Sequence, residues 1–459
     1  MTDFYPATLR TVDRDRRARY LQYLSFYQGK HWEKPDHATR QLVFNYAKTC
    51  IDKATSFLLQ GLGHSFDAQV EDAPHQARVV LAEQAMDQVY LDNQLGQLDY
   101  ETEIDAAVMG DGCYKVTWDA DRKNVRVTAP DISGIFAWWM GDDLARIWRV
   151  ASQYTLTRDE IALLHGVAIP KTTATITEVW TDQAFDLFVD ETPIESKPNP
   201  YGFIPFVIFP NIRDPKHFWG VSDIPAVQPV QRELNRAFSQ LSRILELSGN
   251  PIAVLENVGS AEDIKVQPGA LWTLPEDSKA YLLDLLKGGG VSLHVEYIDH
   301  LYRVLHDITE TPRAAWGGVE KELSGTALRI EMGSLIQRVI RKRLVRTNAY
   351  YRRDEMILHM MRTYASLNTT GVTHRVVWGP ILPADQDRQA MNEQVMVQAG
   401  VHSRRTAMDE MGIQNPEKEF DRWLAERRRI LEMNQEFQAR STRGAARERA
   451  VAAEMDVPD

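Results

Sequence analysis

Two segments of similar length, each with one apolar stripe, flank a short turn-rich excursion, and this arrangement restricts the fold more than any other feature of the 459 residues. The first reads SDIPAVQPVQRELNRAFSQLSRILELSGN, with Ser222 as the expected N-cap, Pro225 tolerated in the first turn and Gly249 as the stop. Val230, Leu234, Phe238, Leu241 and Leu245 recur at steps of three and four, while Arg232, Arg236, Gln240, Arg243 and Glu246 fall elsewhere. The second, 291–310, repeats the pattern with Ile298, Leu301, Leu305 and Ile308. As helices they would span about 37 and 30 Å. The excursion between them is punctuated by Gly259, Pro268–Gly269, Pro275 and Gly288 to Gly290, with short strands or turns expected at 251–255, 264–266, 270–274 and 281–285. Such a stretch is too short for a large core. The pattern predicts an out-and-back helix pair carrying a small β module at its tip.

The rest of the chain reads as mixed α+β, predominantly helical. Helical spacing runs to about residue 60 (Tyr20, Leu24 and Tyr27, then Ala47, Ile51, Ala54 and Leu58) and returns over 74–93. The period drops to two at Tyr114, Val116 and Trp118 and again at Val125 and Val127, around the polar turn DADRKN, which predicts a hairpin. Strands are expected at 147–150, 176–180 and 185–189, and GFIPFVIFPN, bracketed by prolines, predicts a buried strand. Ser324 opens a long helix reaching about residue 368, with Gly333 as a bend. Its middle holds Arg338, Arg341, Lys342, Arg343, Arg346, Arg352 and Arg353, with no acid between Glu331 and Asp354. That side is either solvated or subunit-facing, or it contacts phosphate. A strand at 373–378 follows, and the chain from 384 is charged and helical, divided near Gly400 and Asn415–Pro416.

A hydrophobic fraction of 44% with 25% charged residues fits a folded chain rather than a disordered one. Cys50 and Cys113 cannot build a disulfide framework or a thiolate zinc site. The first residues are charged where a signal peptide is apolar, and no apolar run approaches the length of a membrane helix, so the expectation is a cytosolic-type protein without a membrane span. The net charge of −11 opposes a general grip on nucleic acid. No GxxxxGK[ST], HExxH or GxSxG occurs, and Gly288 to Gly290 lack dinucleotide-loop spacing. Asp119, Asp121 and Asn124 have the spacing of a calcium loop, but Lys123 takes a ligand position and the glycine is missing, so turn chemistry explains them better. The aromatic-rich stretches 20–32 and 138–148 fit core or subunit contacts better than base stacking. No catalytic residue, metal or cofactor is expected.

A collinear series of stretches resembles the portal proteins of tailed bacteriophages: FYQGKHW at 26–32, NYAKTCIDKATSFLLQG at 45–61, GDGCYKV at 110–116, NPYGFIPFVIFPN leading to FWGVSDI, QRELNRAFSQLSRILELSGNP, and ETPRAAWGG with LSGTAL. The resemblance implies a homo-oligomeric ring, usually a dodecamer, at one capsid vertex, with double-stranded DNA passing through it and no catalytic activity of its own. It implies a wing from 1–221 with 311–383, comprising a tunnel loop at 311–323 and the long helix and strand of 324–383. Residues 222–248 and 291–310 would be the stem, 249–290 the clip, and 384–459 a crown with a frayed tail. In the stem, Leu234, Phe238, Leu241, Leu245, Ile298, Leu301, Leu305 and Ile308 would pack. Arg313, Trp316, Glu320, Lys321 and Glu322 would be candidates for weak contact with DNA. The partners implied are the terminase large subunit, the major capsid or scaffold protein and head-completion adaptors, with assembly in the bacterial cytoplasm and residence in the virion. Twelve copies at −11 each give a ring charge of about −130, which disfavours sticking to DNA. Two other classes stay open at this point: a helical scaffold with no DNA role, and a nucleic-acid-processing enzyme with a helical channel.

Overall fold

In a computed structural model, residues 6–34, 40–70, 72–249, 253–257, 276–282, 290–317, 325–382, 386–413, 416–417 and 419–435 are described. The chain divides into two compact units, 1–381 and 382–459. In the first, helices α1 (Arg14–Tyr27) and α2 (Tyr46–Leu59) precede strand β1 (Gly63–Ala68), α3 (Ala73–Asp92) and α4 (Leu95–Met109). Strands β2 (Asp111–Asp119), β3 (Asn124–Thr128), β4 (Ile135–Met140) and β5 (Asp143–Thr157) follow, then α5 (Arg158–His165), β6 (Thr173–Trp180), β7 (Ala184–Val189), β8 (Thr192–Pro198) and β9 (Phe206–Pro210). The unit continues through α6 (Ile224–Gly249), β10 (Ala253–Glu256), β11 (Lys279–Leu282), α7 (Gly290–Thr309), α8 (Gly325–Glu331), α9 (Gly333–Tyr364) and β12 (Val372–Val377).

Local chemistry explains the boundaries. Asn45 caps α2 by accepting from the Lys48 amide at 3.0 Å, and Asp72 caps α3 through the His75 amide at 2.8 Å. Thr157 and Glu160 form a reciprocal capping box on α5, which stops at Gly166 in the left-handed region. In the β2–β3 turn, Asp119 Oδ1 accepts the amides of Asp121 and Arg122, each at 3.0 Å. The acidic cluster with calcium-loop spacing is thus turn chemistry.

β4 to β8 form an antiparallel meander, and β9 pairs with β2 on the edge opposite β3, every residue of β9 being buried. β1 pairs with β12, more than 300 residues away in sequence, so the chain after the helix pair returns to the N-terminal part. At the base of that ribbon the Gly379 amide donates to the Gly61 carbonyl at 2.7 Å. A Cβ on Gly61, whose φ is +66°, would lie 2.5 Å from the Gly379 Cα. Two apolar cores share α4. Ala107, Val108 and Met109 face α1, α2 and the roots of α6 and α7; Leu95 and Ala106 join α3, β2, β9 and α9.

Several expectations are corrected. The helical reading of the first 60 residues breaks over 40–45, an extended strap laced to α6. Its Leu42 and Phe44 amides donate to Ser239 Oγ and Asn235 Oδ1, each at 3.0 Å, and the Ala47 amide donates to Gln231 Oε1 at 2.9 Å. Side chains four apart on a helix rise about 6 Å, close to the two-residue repeat of an extended chain, so the lattices match. The long helix ends at Tyr364 and not near 368; its break at Met332 falls beside the bend expected at Gly333, and its expected start at Ser324 lies outside the described residues. Ser222 acts one residue further out than a cap: its Oγ accepts the Ile224 amide at 3.0 Å and donates to the Val108 carbonyl. Of the four strands expected between the helices, those near 251–255 and 281–285 correspond to β10 and β11, which pair antiparallel. The strands expected at 264–266 and 270–274 lie outside the described residues.

The second unit contains α10 (Gln386–Gln398), α11 (Arg404–Glu410) and helical residues over 416–417 and 419–435. Within it, His402 Nδ1 lies 2.8 Å from Glu393 Oε2, and Arg404 and Arg427 flank the Trp423 ring.

Candidate functional site

α6 and α7 pack side by side. Asp223 and Thr309 meet the same Arg338 side chain at one end, and Tyr297 donates to Glu233 Oε1 at 2.9 Å further along, so the helices run antiparallel. Leu234, Ile298 and Leu305 are buried between them and the body, while Phe238, Leu241 and Leu301 are half-buried. Leu245 and Ile308 depart from the expected stripe and are 51% and 41% exposed in the single chain. Ile308 is displaced because the 3.6-residue period carries the buried line from Leu305 to Thr309, four residues on. Leu293, Val295 and Tyr297 add to the apolar surface exposed on α7.

The turn after α7 is anchored to the body. Arg313–Trp316 form one 3-10 turn, and the Trp316 ring lies edge-on to His306 at 5.5 Å and 6.3 Å from Tyr46. Trp316 therefore packs inward. Arg313 is exposed, its guanidinium 5.9 Å from the centre of the Tyr302 ring. Glu320, Lys321 and Glu322 lie outside the described residues.

The basic stretch of α9 is divided by function, which corrects its reading as one solvated, partner-facing or phosphate-facing side. Arg338, Lys342, Arg346 and Arg353 are buried, and each meets a carboxylate of this same chain. Arg338 Nη2 and Lys342 Nζ each donate to Asp223 Oδ2 at 2.7 Å. Arg346 forks onto Glu103, with Nε 2.8 Å from Oε1 and Nη2 2.8 Å from Oε2, and Nη1 also donates to the Pro210 and Asn211 carbonyls at 2.6 and 2.7 Å. Arg353 pairs with Asp99 and Asp354, and its guanidinium lies among the rings of Tyr90, Tyr114 and Tyr350 at 4.9–5.3 Å. The other three, Arg341, Arg343 and half-buried Arg352, stay nearer the surface. Arg341 is exposed and donates to Glu310, while Arg343 donates to the Leu58, Gln60 and Gly379 carbonyls at 3.1, 3.0 and 2.8 Å.

Four cations thus meet four carboxylates inside the body, as buried charge requires. Burial alone would raise the Asp223 carboxyl, but Arg338 and Lys342 outweigh it and hold it well below the usual range. Burial pushes the Lys342 ammonium down to about 8 against the pull of Asp223. Sequence reasoning missed Asp99, Glu103, Asp223 and Asp354. A signal existed, since Leu95, Asp99, Glu103 and Ala106 follow one another at steps of four, four and three, which puts the two carboxylates on the apolar face of their helix.

Among the described residues, no three His, Cys, Asp or Glu side chains gather as a metal site, and no helix is long and apolar enough to cross a membrane. A surface depression beside the β2–β3 turn is lined by Asp92, Asn93, Asp119 and Arg122. Its Asp92, Asn93 and Asp119 side chains already hold the Asn124 amide, the Val89 and Val125 carbonyls and the turn amides. No curated protein matches the chain. Over residues 8–433, however, it matches the family described as "Phage portal protein, SPP1 Gp6-like", and the chain belongs to that family.

Proposed function

We propose that the subunit closes with eleven copies of itself into a ring at one capsid vertex, that double-stranded DNA is packaged and ejected through its channel, and that α6 and α7 form the stem. On this reading residues 249–290 are the clip. It faces the terminase large subunit during packaging and the head-completion proteins afterwards, while the scaffold or major capsid protein meets the ring's periphery during assembly in the host cytoplasm. Residues 1–221 with 311–383 are the wing, 311–323 its tunnel loop, and 384 onward the crown. As a portal protein the chain is a structural part of the virion, and its family is not enzymatic.

One observation carries the stem assignment: an antiparallel helix pair rooted in the body and joined through the β10–β11 ribbon. Such a pair has little core of its own, and Leu245, Leu293, Val295 and Tyr297 leave apolar surface for neighbouring copies to cover. A conduit must also release DNA, because each phosphate neutralised by a fixed cation adds affinity through counterion release. Internal pairing of Arg338, Lys342, Arg346 and Arg353 is consistent with that requirement. Native mass spectrometry of the full chain tests the proposal. A species of twelve times the 52.5 kDa subunit mass is expected. A monomer at all concentrations, or ATP hydrolysis or DNA cleavage by the purified chain, would overturn it.

A further inference from the structure

Both roots of the helix pair meet one side chain. α7 ends at Thr309, and Glu310 follows with a φ of 50°, an unfavourable conformation for a residue with a Cβ. The turn brings the Thr311 amide back to the His306 carbonyl at 3.2 Å, and His306 Nδ1 lies 2.6 Å from the Thr311 carbonyl. Arg338 Nη1 donates to the Thr309 carbonyl, and Nη2 of the same guanidinium donates to Asp223 Oδ2, immediately before α6. Asp223 is itself fixed to the body: its amide donates to the Ala107 carbonyl at 2.9 Å, and its Oδ1 accepts from Asn211 at 3.1 Å. Lys342, one turn along α9, reaches Asp223 alone.

We propose that Arg338 is a positioning residue that clasps the two stem roots, fixing their separation and coupling both to α9. The inference rests on the stem reading above. The guanidinium suits the task because it is a planar fork that stays charged and holds two donors at fixed spacing, whereas an ammonium is a point charge on a flexible stem. Lys342 supplies the contrast within the structure, since it holds one root and not the other. Exposed Arg341 closes over the same corner by donating to Glu310, and this ion pair helps to hold the left-handed turn. With both roots bound to one rigid group, the helix pair moves as a unit relative to α9 and does not splay at its base.

Amide hydrogen exchange on the full-length assembled protein tests the clasp, with native mass spectrometry run on the same samples. Arg338→Lys should keep the Asp223 end and release the Thr309 end, so amides of 305–311 exchange at least fivefold faster while those of 224–230 do not change. Lys342→Met leaves the Arg338 fork on both Asp223 and Thr309 and should change neither root, whereas Arg338→Met should loosen both. Leu344→Ser, at an exposed position on the same helix, should change neither. Should Arg338→Met fail to fold, the contrast between Arg338→Lys, with faster exchange at 305–311, and Lys342→Met, with none, carries the test. A merely structural role for Arg338 would loosen the whole body uniformly. Uniform loosening, or wild-type exchange at 305–311 in Arg338→Lys, would overturn the clasp. Absence of rings in the wild type would instead overturn the portal assembly, and the exchange pattern of the unassembled subunit would still decide the clasp.

Discussion

Glu103→Gln is nearly isosteric and leaves the Arg346 guanidinium charged in a site where both side chains are at most 1% exposed. Glu103 accepts from Arg346 through both oxygens and from Tyr350 at 2.8 Å, so the amide replacement loses the counter-charge and one of two charge-assisted bonds. Breaking a buried pair from one side costs about 3–5 kcal/mol, a large share of the about 5–15 kcal/mol that holds a typical domain together. Arg346→Met removes the donor to the Pro210 and Asn211 carbonyls as well, each worth about 1–3 kcal/mol when orphaned, and should cost at least as much. The double variant should recover about 2 kcal/mol relative to the sum, because neither lone charge remains. Equilibrium urea denaturation followed by tryptophan fluorescence measures this, at one protein concentration so that assembly does not enter the comparison. A Glu103→Gln loss below about 1 kcal/mol, or strict additivity in the double variant, would refute the reading of α9 as an internally neutralised rod.

Three further outcomes follow from the same structure. Burial raises the Asp111 carboxyl to about 6 despite donors from Tyr20 and Gly220, so the folded state binds a proton that the unfolded state releases nearer 4. Stability from this group therefore rises as pH falls from 7 to 4, by on the order of 3 kcal/mol, and Asp111→Asn should flatten that part of the profile in chemical denaturation. Leu305→Asp should unfold the root of the pair, because it buries an unpaired charge at a fully enclosed position, whereas Leu245→Asp should leave subunit melting near wild type and deplete rings in native mass spectrometry. Gly61→Ala should raise proteolysis and amide exchange in the β1–β12 ribbon, since its Cβ would meet the Gly379 backbone; unchanged exchange there would count against the close approach.

What was legible in the sequence was local periodicity. The stripes through Leu234 and Leu305, the alternation of Tyr114, Val116 and Trp118, and the apolar run at 206–210 each reflect one element burying one face. What was not legible is long-range pairing. A row of cations spaced by four looks the same whether water or carboxylates face it, and Asp99, Glu103 and Asp223 come from segments more than 100 residues away from Arg338, Lys342, Arg346 and Arg353. The strap at 40–45 escaped for the same reason: its backbone donors are satisfied by Asn235 and Ser239 side chains on α6, which no local pattern records. Ile308 was misplaced for a simpler reason, since a step of three or of four fits an apolar stripe equally well until the partner helix selects one.

The most direct measurement is an electron-microscopic reconstruction of the purified full-length chain. The account predicts a closed, rotationally symmetric particle with an open axial hole and a narrow neck built from Ile224–Gly249 and Gly290–Thr309 of every copy. Isolated subunits, open filaments, or closed particles with these two helices on the outer rim would contradict it.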